Sequence, residues 1–353
     1  MAKKITLNMV EKMNDLWEEY LNVPYNLRET EESKKAHDDY FAFKKENFDV
    51  ATEIEDEALL KLLSEEDKIH LPSVNKLSLT AYTLIGKTDL HEVRLDGITE
   101  MTDNEVEALS GLRNKSKRWR TRNIDLNGLI KLPDSFYTVF GTGFKVGGNM
   151  GLAGITELTE GEEKGLSKIK FNAIYLRNLK KVSPKGFSKF KGSLILGIEE
   201  LPLELAQAMS KWKSYLTFTK VSKITPEIAA ELIKIEEDFI QFGTGYYHNI
   251  KDDYSWECAP PDGLRTLPAD VAMVFARKKY WKIAFNGITE LTVEAATELN
   301  KIHGHIELHN FDPFSAPEAV LNALSAKREN AEWITTKTAH IKRKDGTVEK
   351  RDI

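Results

Sequence analysis

The sequence has a single cysteine, Cys258, among 353 residues. No intramolecular disulfide can form, and a reducing compartment is the expected home. It has no stretch near the roughly 20 uncharged apolar residues that a membrane-spanning helix requires, so no membrane partner is expected. It also lacks an excess of either charge: 50 Lys and Arg stand against 55 Asp and Glu. That balance gives no global ground for binding nucleic acid or acidic lipid, and any electrostatic partner has to be read by a local patch. Near the N-terminus Lys3 and Lys4 are followed by Glu11, Asn14 and Asp15 before an apolar leader core can form. A cleavable signal is not expected and the expected location is cytoplasmic, with export by a route lacking such a signal left open. What the chain does have is enough apolar material, 41% of its residues, to bury a core, which argues against disorder as its main state.

It also has internal repetition. Val93-Arg94-Leu95-Asp96-Gly97-Ile98-Thr99-Glu100-Met101-Thr102 returns as Ile283-Ala284-Phe285-Asn286-Gly287-Ile288-Thr289-Glu290-Leu291-Thr292, and Gly-Ile-Thr-Glu-Leu-Thr returns again at Gly154 to Thr159. Weaker copies begin at Ile124, Ile174, Leu194, Leu216, Ile240 and Ile306. Each copy opens with apolar-x-apolar, the alternation of a short strand with one buried face, and a following Gly or Asn suits a turn. An apolar anchor follows, and then Thr, Ser or Pro opens a stretch of helical spacing. Thr102 with Glu105, Thr159 with Glu162 and Ser315 with Glu318 have the spacing of capping boxes, while Ser183-Pro184 and Thr225-Pro226 put proline at a first helical position. Helices are expected through Val106–Leu109, Ile228–Leu232, Val271–Phe275 and Ala295–Leu299. Between Leu95, Leu126, Leu152, Leu176, Leu196, Phe218, Phe242, Phe285 and Leu308 the steps are 31, 26, 24, 20, 22, 24, 43 and 23 residues. Units this short cannot hide their apolar edges alone, so stacking into one shared column is expected.

From about Leu77 to Leu324 this pattern resembles the leucine-rich repeat superfamily, especially the short degenerate repeats of bacterial proteins. The resemblance implies an α/β solenoid of strand-turn-helix units with a parallel sheet. The chain departs from the common consensus where an asparagine is usual: Ile98, Leu129, Ile155, Leu179 and Ile288 stand there. An internal asparagine ladder is thereby removed, and the resemblance carries no single activity with it.

Residues 1–71 show no repeat. Val10, Met13, Leu16, Trp17, Tyr20 and Leu21 lie at helical spacing, and Ala36, Tyr40, Phe41 and Phe43, then Ile54, Leu59, Leu60 and Leu63, suggest two further helices. This is a helical cap over the open end of the repeats, or a small domain with its own partner. The repeats are assigned to 72–325, and 326–353 to a charged terminal segment with a hairpin around Asp345-Gly346. Two insertions stand out. The basic one, Arg113 to Arg122 with Trp119 in its middle, is either a solvated surface or a phosphate clamp. The aromatic one, Gly243 to Gly263, is either a contact loop or a cover folded back over a joint.

Catalytic signatures are scarce. Gly86-Lys87-Thr88 ends a relaxed phosphate-loop spelling, but Tyr82, Leu84 and Ile85 are too bulky for backbone to wrap a phosphate. Gly141 to Gly148 lacks the strand-to-helix setting of a dinucleotide fingerprint. His303, His305, Glu307 and His309 would share one face of a strand, either as polar side chains at its solvent-facing positions or, in neighbouring pairs with a third ligand from elsewhere, as a zinc site. Cys258 and His248 lack an orienting third group. No catalytic, metal or cofactor site is assigned. The expected function is a non-enzymatic scaffold binding another protein through outward sheet positions, Arg94, Asp96, Asp125, Asn127, Tyr175, Arg177, Thr217, Thr219, Asn286, Glu307 and His309, together with Tyr246, Tyr247, Tyr254 and Trp256. The alternative is nucleic-acid binding through the basic insertion, Lys115, Lys117, Arg118, Trp119, Arg120 and Arg122.

Overall fold

A strand of three or four residues with one apolar face, followed by a one-sided helix, is stable only against a neighbour of the same kind. The computed structural model describes residues 3–22, 30–113, 123–141, 148–236, 239–244, 246–248, 256–258, 262–312, 315–325, 333–336, 340–342 and 348–350. It divides into two compact units, Met1–Thr156 with Lys168–Tyr175, and Glu157–Ser167 with Leu176–Ile353. Each has the strand-turn-helix architecture of a leucine-rich-repeat-like solenoid.

The first unit begins with β1 (Lys4–Ile5), α1 (Leu7–Leu21), α2 (Glu31–Asn47), β2 (Glu53–Ile54) and α3 (Asp56–Glu65), β1 and β2 pairing in parallel. Ile54 thus lies in a strand ahead of α3, not in the helix its spacing suggested, and Leu60 is exposed. Next come β3 (Lys68–His70), α4 (Leu79–Lys87), β4 (Glu92–Arg94), α5 (Asp103–Ala108), β5 (Asn123–Asp125), α6 (Phe136–Gly141), β6 (Asn149–Gly151) and β7, whose span is Ala173–Leu176. Strands β3 to β7 pair in parallel in chain order, so that Ile69, Val93, Ile124, Met150 and Ile174 form one buried column. A second column follows from backbone bonds: Leu95 N–H donates to Asp125 O, Leu126 to Gly151 O and Leu152 to Tyr175 O, each at 2.9 Å.

Where the asparagine ladder is missing, an apolar one stands. Ile98, Leu129 and Ile155 are buried, and each closes a turn by donating its N–H to the carbonyl three residues back, that of Leu95, Leu126 or Leu152. The glycine just before each is required by crowding. A Cβ on Gly128 would lie 2.1 Å from Asp96 O, and one on Gly154 2.4 Å from Leu129 O. Neither glycine has a positive φ, so the turn reason suggested by sequence gives way to one of stacking distance.

The second unit carries α7 (Glu160–Leu166), β8 (Ser193–Leu196), α8 (Leu203–Met209), β9 (Leu216–Phe218), α9 (Pro226–Leu232), β10 (Phe239–Phe242), β11 (Tyr246–His248), β12 (Trp256–Cys258), α10 (Ala269–Phe275), β13 (Lys279–Phe285), α11 (Val293–Leu299), β14 (His303–Leu308), α12 (Glu318–Ser325), β15 (Trp333–Thr336), β16 (His340–Lys342) and β17 (Val348–Lys350). Strands β8, β9, β10, β13, β14 and β15 pair in parallel, each with the next. Leu196, Phe218, Phe242 and Phe285 are successive rungs of a buried column, with Phe218 and Phe242 stacked at 5.6 Å. The 43-residue step is therefore a single rung with an insertion hung on it. Strand β15 continues the parallel pairing inside the segment assigned to the charged end, and β16 and β17 form an antiparallel hairpin there.

Caps follow the sequence in part. Thr102 with Glu105 and Thr159 with Glu162 form full capping boxes, and Thr225 caps α9 with Pro226 in its first turn. Ser315 stands three residues before α12 begins, too early to be its N-cap, and its hydroxyl donates to Asp312 O. After Ser183-Pro184 the chain forms turns over 184–189, not the expected helix. Glu163 supplies a reason: it is fully buried, accepts the Ser183 N–H at 3.0 and 3.1 Å, and leaves no room for a side chain at Gly186.

Candidate functional site

Alternation along short strands puts every second residue on the outward face of the sheet. In the first unit one outward row is His70, Arg94, Asp125, Gly151 and Tyr175, and the row before it contains Glu92 and Asn123. Arg94 Nε lies 2.5 Å from Glu92 Oε1 and 3.3 Å from Asp125 Oδ2, while His70 Nε2 is 3.4 Å from Glu92 Oε1. Gly151 gives these groups space: a Cβ there would lie 2.4 Å from Asp125 Oδ1.

The two carboxylates are driven apart. Burial pushes Glu92 up, but the hydrogen bond to His70 and the charge of Arg94 outweigh it and bring its pKa down to about 2. Burial and then the charge of Asp96 push Asp125 up to about 6, over the opposition of Arg94. The face thus holds an ionised carboxylate and a proton-accepting one within reach of one guanidinium.

Asp96 and Asn127 are committed to the neighbouring turn. Asp96 Oδ1 accepts the Asn127 N–H at 3.1 Å, and Asn127 Oδ1 accepts the Ala153 N–H at 3.0 Å. This polar ladder on the outer side of the turn was missed by sequence reasoning; the Asp before Gly97 and the Asn before Gly128 were its signal. Tyr175 and Arg177 are partly exposed.

In the second unit one outward row is Ser193, Tyr215, Phe239, Lys282 and His305. Tyr215 meets Phe239 edge-on at 5.3 Å, and Lys282 Nζ sits 5.0 Å from the Phe239 ring centre. The next row includes Thr217, nearly enclosed, and Glu307. Lys282 Nζ lies 2.6 Å from Glu307 Oε1, whereas His305 and His309 each stand 3.9 Å from one Glu307 oxygen. Burial lowers the pKa of both histidines, which favours neutral rings. Among the described residues no three metal-ligating side chains converge. Thr217, Thr219, Asn286 and His309 are buried, so these four members of the expected surface are enclosed. The Asn286 amide makes no hydrogen bond among the described residues, while its backbone carbonyl accepts from Asn310 Nδ2.

The aromatic insertion has structure at its base. Strands β11 and β12 pair antiparallel, with Tyr246 opposite Cys258, Tyr247 opposite Glu257 and His248 opposite Trp256. His248 and Cys258 are not cross-strand partners, and the two ends of the segment pair as antiparallel strands, while 249–255 lie outside the described residues. Thr244 ties its start to Asp262, N to Oδ1 and Oγ1 to Oδ2 both at 2.7 Å. Tyr254 lies outside the described residues, as does the basic insertion from 114 to 122. Gly86 and Lys87 end helix α4, with Tyr82 buried, which is no phosphate loop. Of the other glycine-rich segment, 142–147 lies outside the described residues.

No family model matches the chain, and no curated protein does. Among solved structures it is similar to TLR13 in a complex with ssRNA13, at 15% identity and TM-score 0.43, covering 73% of this chain and 35% of that one. It is similar to the yeast Rad7 and Elc1 complex at 12% identity and TM-score 0.44, covering 93% and 80%. The internalin InlF of Listeria monocytogenes gives 14% and 0.33, covering 78% and 88%. The chain thus spans about a third of the TLR13 chain, and none of these likenesses reaches a TM-score of 0.5; the fold assigned above rests on strand register.

Proposed function

We propose that the chain is a binding scaffold that engages another protein through the outward sheet face of its first unit, with Arg94, Asp125 and Tyr175 as contact residues. The observation that carries this reading is the half-buried charge cluster of Glu92, Arg94 and Asp125. These side chains hold one another in place on a rigid sheet, so little conformational entropy is lost when a partner meets them. A partner offering hydrogen-bond donors to Asp125 and an acceptor to Arg94 would replace water without disturbing the strands. Asp96 and Asn127 serve this face by fixing the turns beside it. The hairpin with Tyr246, Tyr247, Tyr254 and Trp256 is a contact element in its own right on the same proposal, since aromatic side chains bury large area at small entropic cost. Helices α1 to α3 are read as the cap of the first unit.

The test is affinity capture from source cells with quantitative mass spectrometry, using wild type, Arg94→Glu and Tyr175→Ala, each checked by circular dichroism. Proteins recovered with wild type should fall at least several-fold with folded variants. Recovery unchanged in both would remove the sheet face from the function, and unchanged recovery after shortening the hairpin would remove the hairpin.

A further inference from the structure

The second unit contains a charged feature that the protein-binding reading leaves unused. Between residues 176 and 225 there are ten Lys and Arg against three Glu, in a chain where acids outnumber bases. Within it Ser188-Lys189-Phe190-Lys191 returns as Ser210-Lys211-Trp212-Lys213. The two segments enter the adjacent strands β8 and β9, where Ser193 Oγ lies 3.4 Å from Ser214 Oγ. Phe190 and Trp212 are both buried, their rings 6.4 Å apart, and each is fixed by the same turn, its N–H donating to the carbonyl three residues back. With the anchors turned inward, the lysines on either side are held at the surface, and all four are exposed. Neighbouring rungs lie about 4.8 Å apart, so four cations crowd one edge.

Little neutralises them. Among the described residues Lys189, Lys191 and Lys211 have no acidic partner, and Lys213 meets Glu236 in a pair whose side chains are 74% and 64% exposed, a geometry of small energetic worth. A lysine just past a helix complements its dipole, which accounts for Lys211 after α8. It does not account for Lys191 and Lys213, which lie beyond the anchor towards the strand.

Beside these charges stands a ring. Tyr215 follows Lys213 by two residues, across a bend at Ser214 that leads into β9. It is 46% exposed and is braced edge-on by Phe239. Lysine is a point charge that accepts a phosphate from any direction, and an exposed aromatic face is a platform for an unpaired base.

We propose that Lys189, Lys191, Lys211, Lys213 and Tyr215 form a binding edge for single-stranded nucleic acid, the lysines holding phosphates and Tyr215 stacking a base. An acidic polypeptide or an anionic membrane would use the same charges; the exposed ring favours the single strand. The proposal shares no contact residue with the protein-binding face and stands or falls separately from it.

The experiment is fluorescence anisotropy of the full chain with a labelled 12-nucleotide RNA of mixed sequence, its duplex form, poly-L-glutamate and phosphatidylserine vesicles. With four phosphates neutralised, affinity for the single strand should fall about 100-fold between 25 and 150 mM KCl. The variant K189E/K191E/K211E/K213E should lose binding. Tyr215→Ala should weaken the single strand by at least about 5-fold without changing duplex binding, while Tyr215→Phe should leave both intact. Should the quadruple variant fail to fold, K191Q/K213Q replaces it, with a several-fold loss expected. No single-strand binding at 25 mM KCl overturns the proposal. So does an unaltered affinity in Tyr215→Ala, or binding of poly-L-glutamate or vesicles in preference to RNA.

Discussion

Phe242 and Phe285 stack almost parallel, with ring centres 5.7 Å apart and an interplanar angle of 8°, although the hairpin insertion separates them in sequence. Phe275 closes on both from α10, its ring edge-on at 6.0 and 5.5 Å. All three are fully buried, so Phe242→Ala or Phe285→Ala should cost about 3–5 kcal/mol in urea unfolding. A loss below about 1 kcal/mol would show that the column does not carry the second unit.

The hairpin between them should be dispensable for folding. Thr244 and Asp262 already fix its base, and loop length enters the closure entropy only logarithmically. Replacing 246–260 with a short Gly-Ser bridge should leave the melting temperature within a few degrees of wild type. A collapse on calorimetry would mean that the insertion covers core.

Stability should depend on pH in opposite senses at Glu92 and Asp125. Glu92, with its pKa lowered to about 2, contributes stability that is present above its unfolded value and lost as pH falls through about 2. Asp125, raised to about 6, favours its protonated form in the folded protein, so stability declines as pH rises from about 4 through 6. Glu92→Gln should remove the acid-side loss, and Asp125→Asn should remove the decline and stabilise by on the order of 2 kcal/mol at pH 7. Melting temperatures measured from pH 2 to 7 decide this, and two variant curves parallel to wild type would refute it.

Gly128→Ala should destabilise by about 1–3 kcal/mol, because the new methyl meets Asp96 O and the backbone must shift. Thr102→Ala should cost about 1 kcal/mol through loss of its capping box. If chemical denaturation ranks Thr102→Ala well above Gly128→Ala, the crowding account of the repeat glycines is wrong.

Glu163 is the remaining buried carboxylate on which a fold element depends. Burial raises its pKa while the bonds from Ser183 oppose the rise. Glu163→Gln keeps an acceptor for that N–H and should be tolerated better than Glu163→Ala, which leaves it unsatisfied at a cost of about 1–3 kcal/mol. Equal loss in both, read by urea titration, would indicate that packing and not the hydrogen bond matters.

Much of the fold was legible because strand alternation and helical spacing are local. The rungs Leu95, Leu126, Leu152, Phe242 and Phe285 and the caps Thr102, Thr159 and Thr225 could be read from neighbours within a few residues. Less of the candidate site was legible. Arg94 and Asp125 could be placed on an outward face, but their link to Glu92 and His70 runs across strands. Asn286 and His309 looked exposed by the same alternation, and their burial depends on what packs over the strand ends.

The sequence by itself determined which residues alternate, which begin helices and where small residues recur, since these are set by the covalent chain and its nearest neighbours. Tertiary structure alone decided the rest. It buried Glu163, placed Trp333–Thr336 beside β14 and set Asp125 near Asp96, because burial and charge coupling depend on which distant segments meet. The same closeness turned Gly128 from a permissive turn residue into one that the next rung requires.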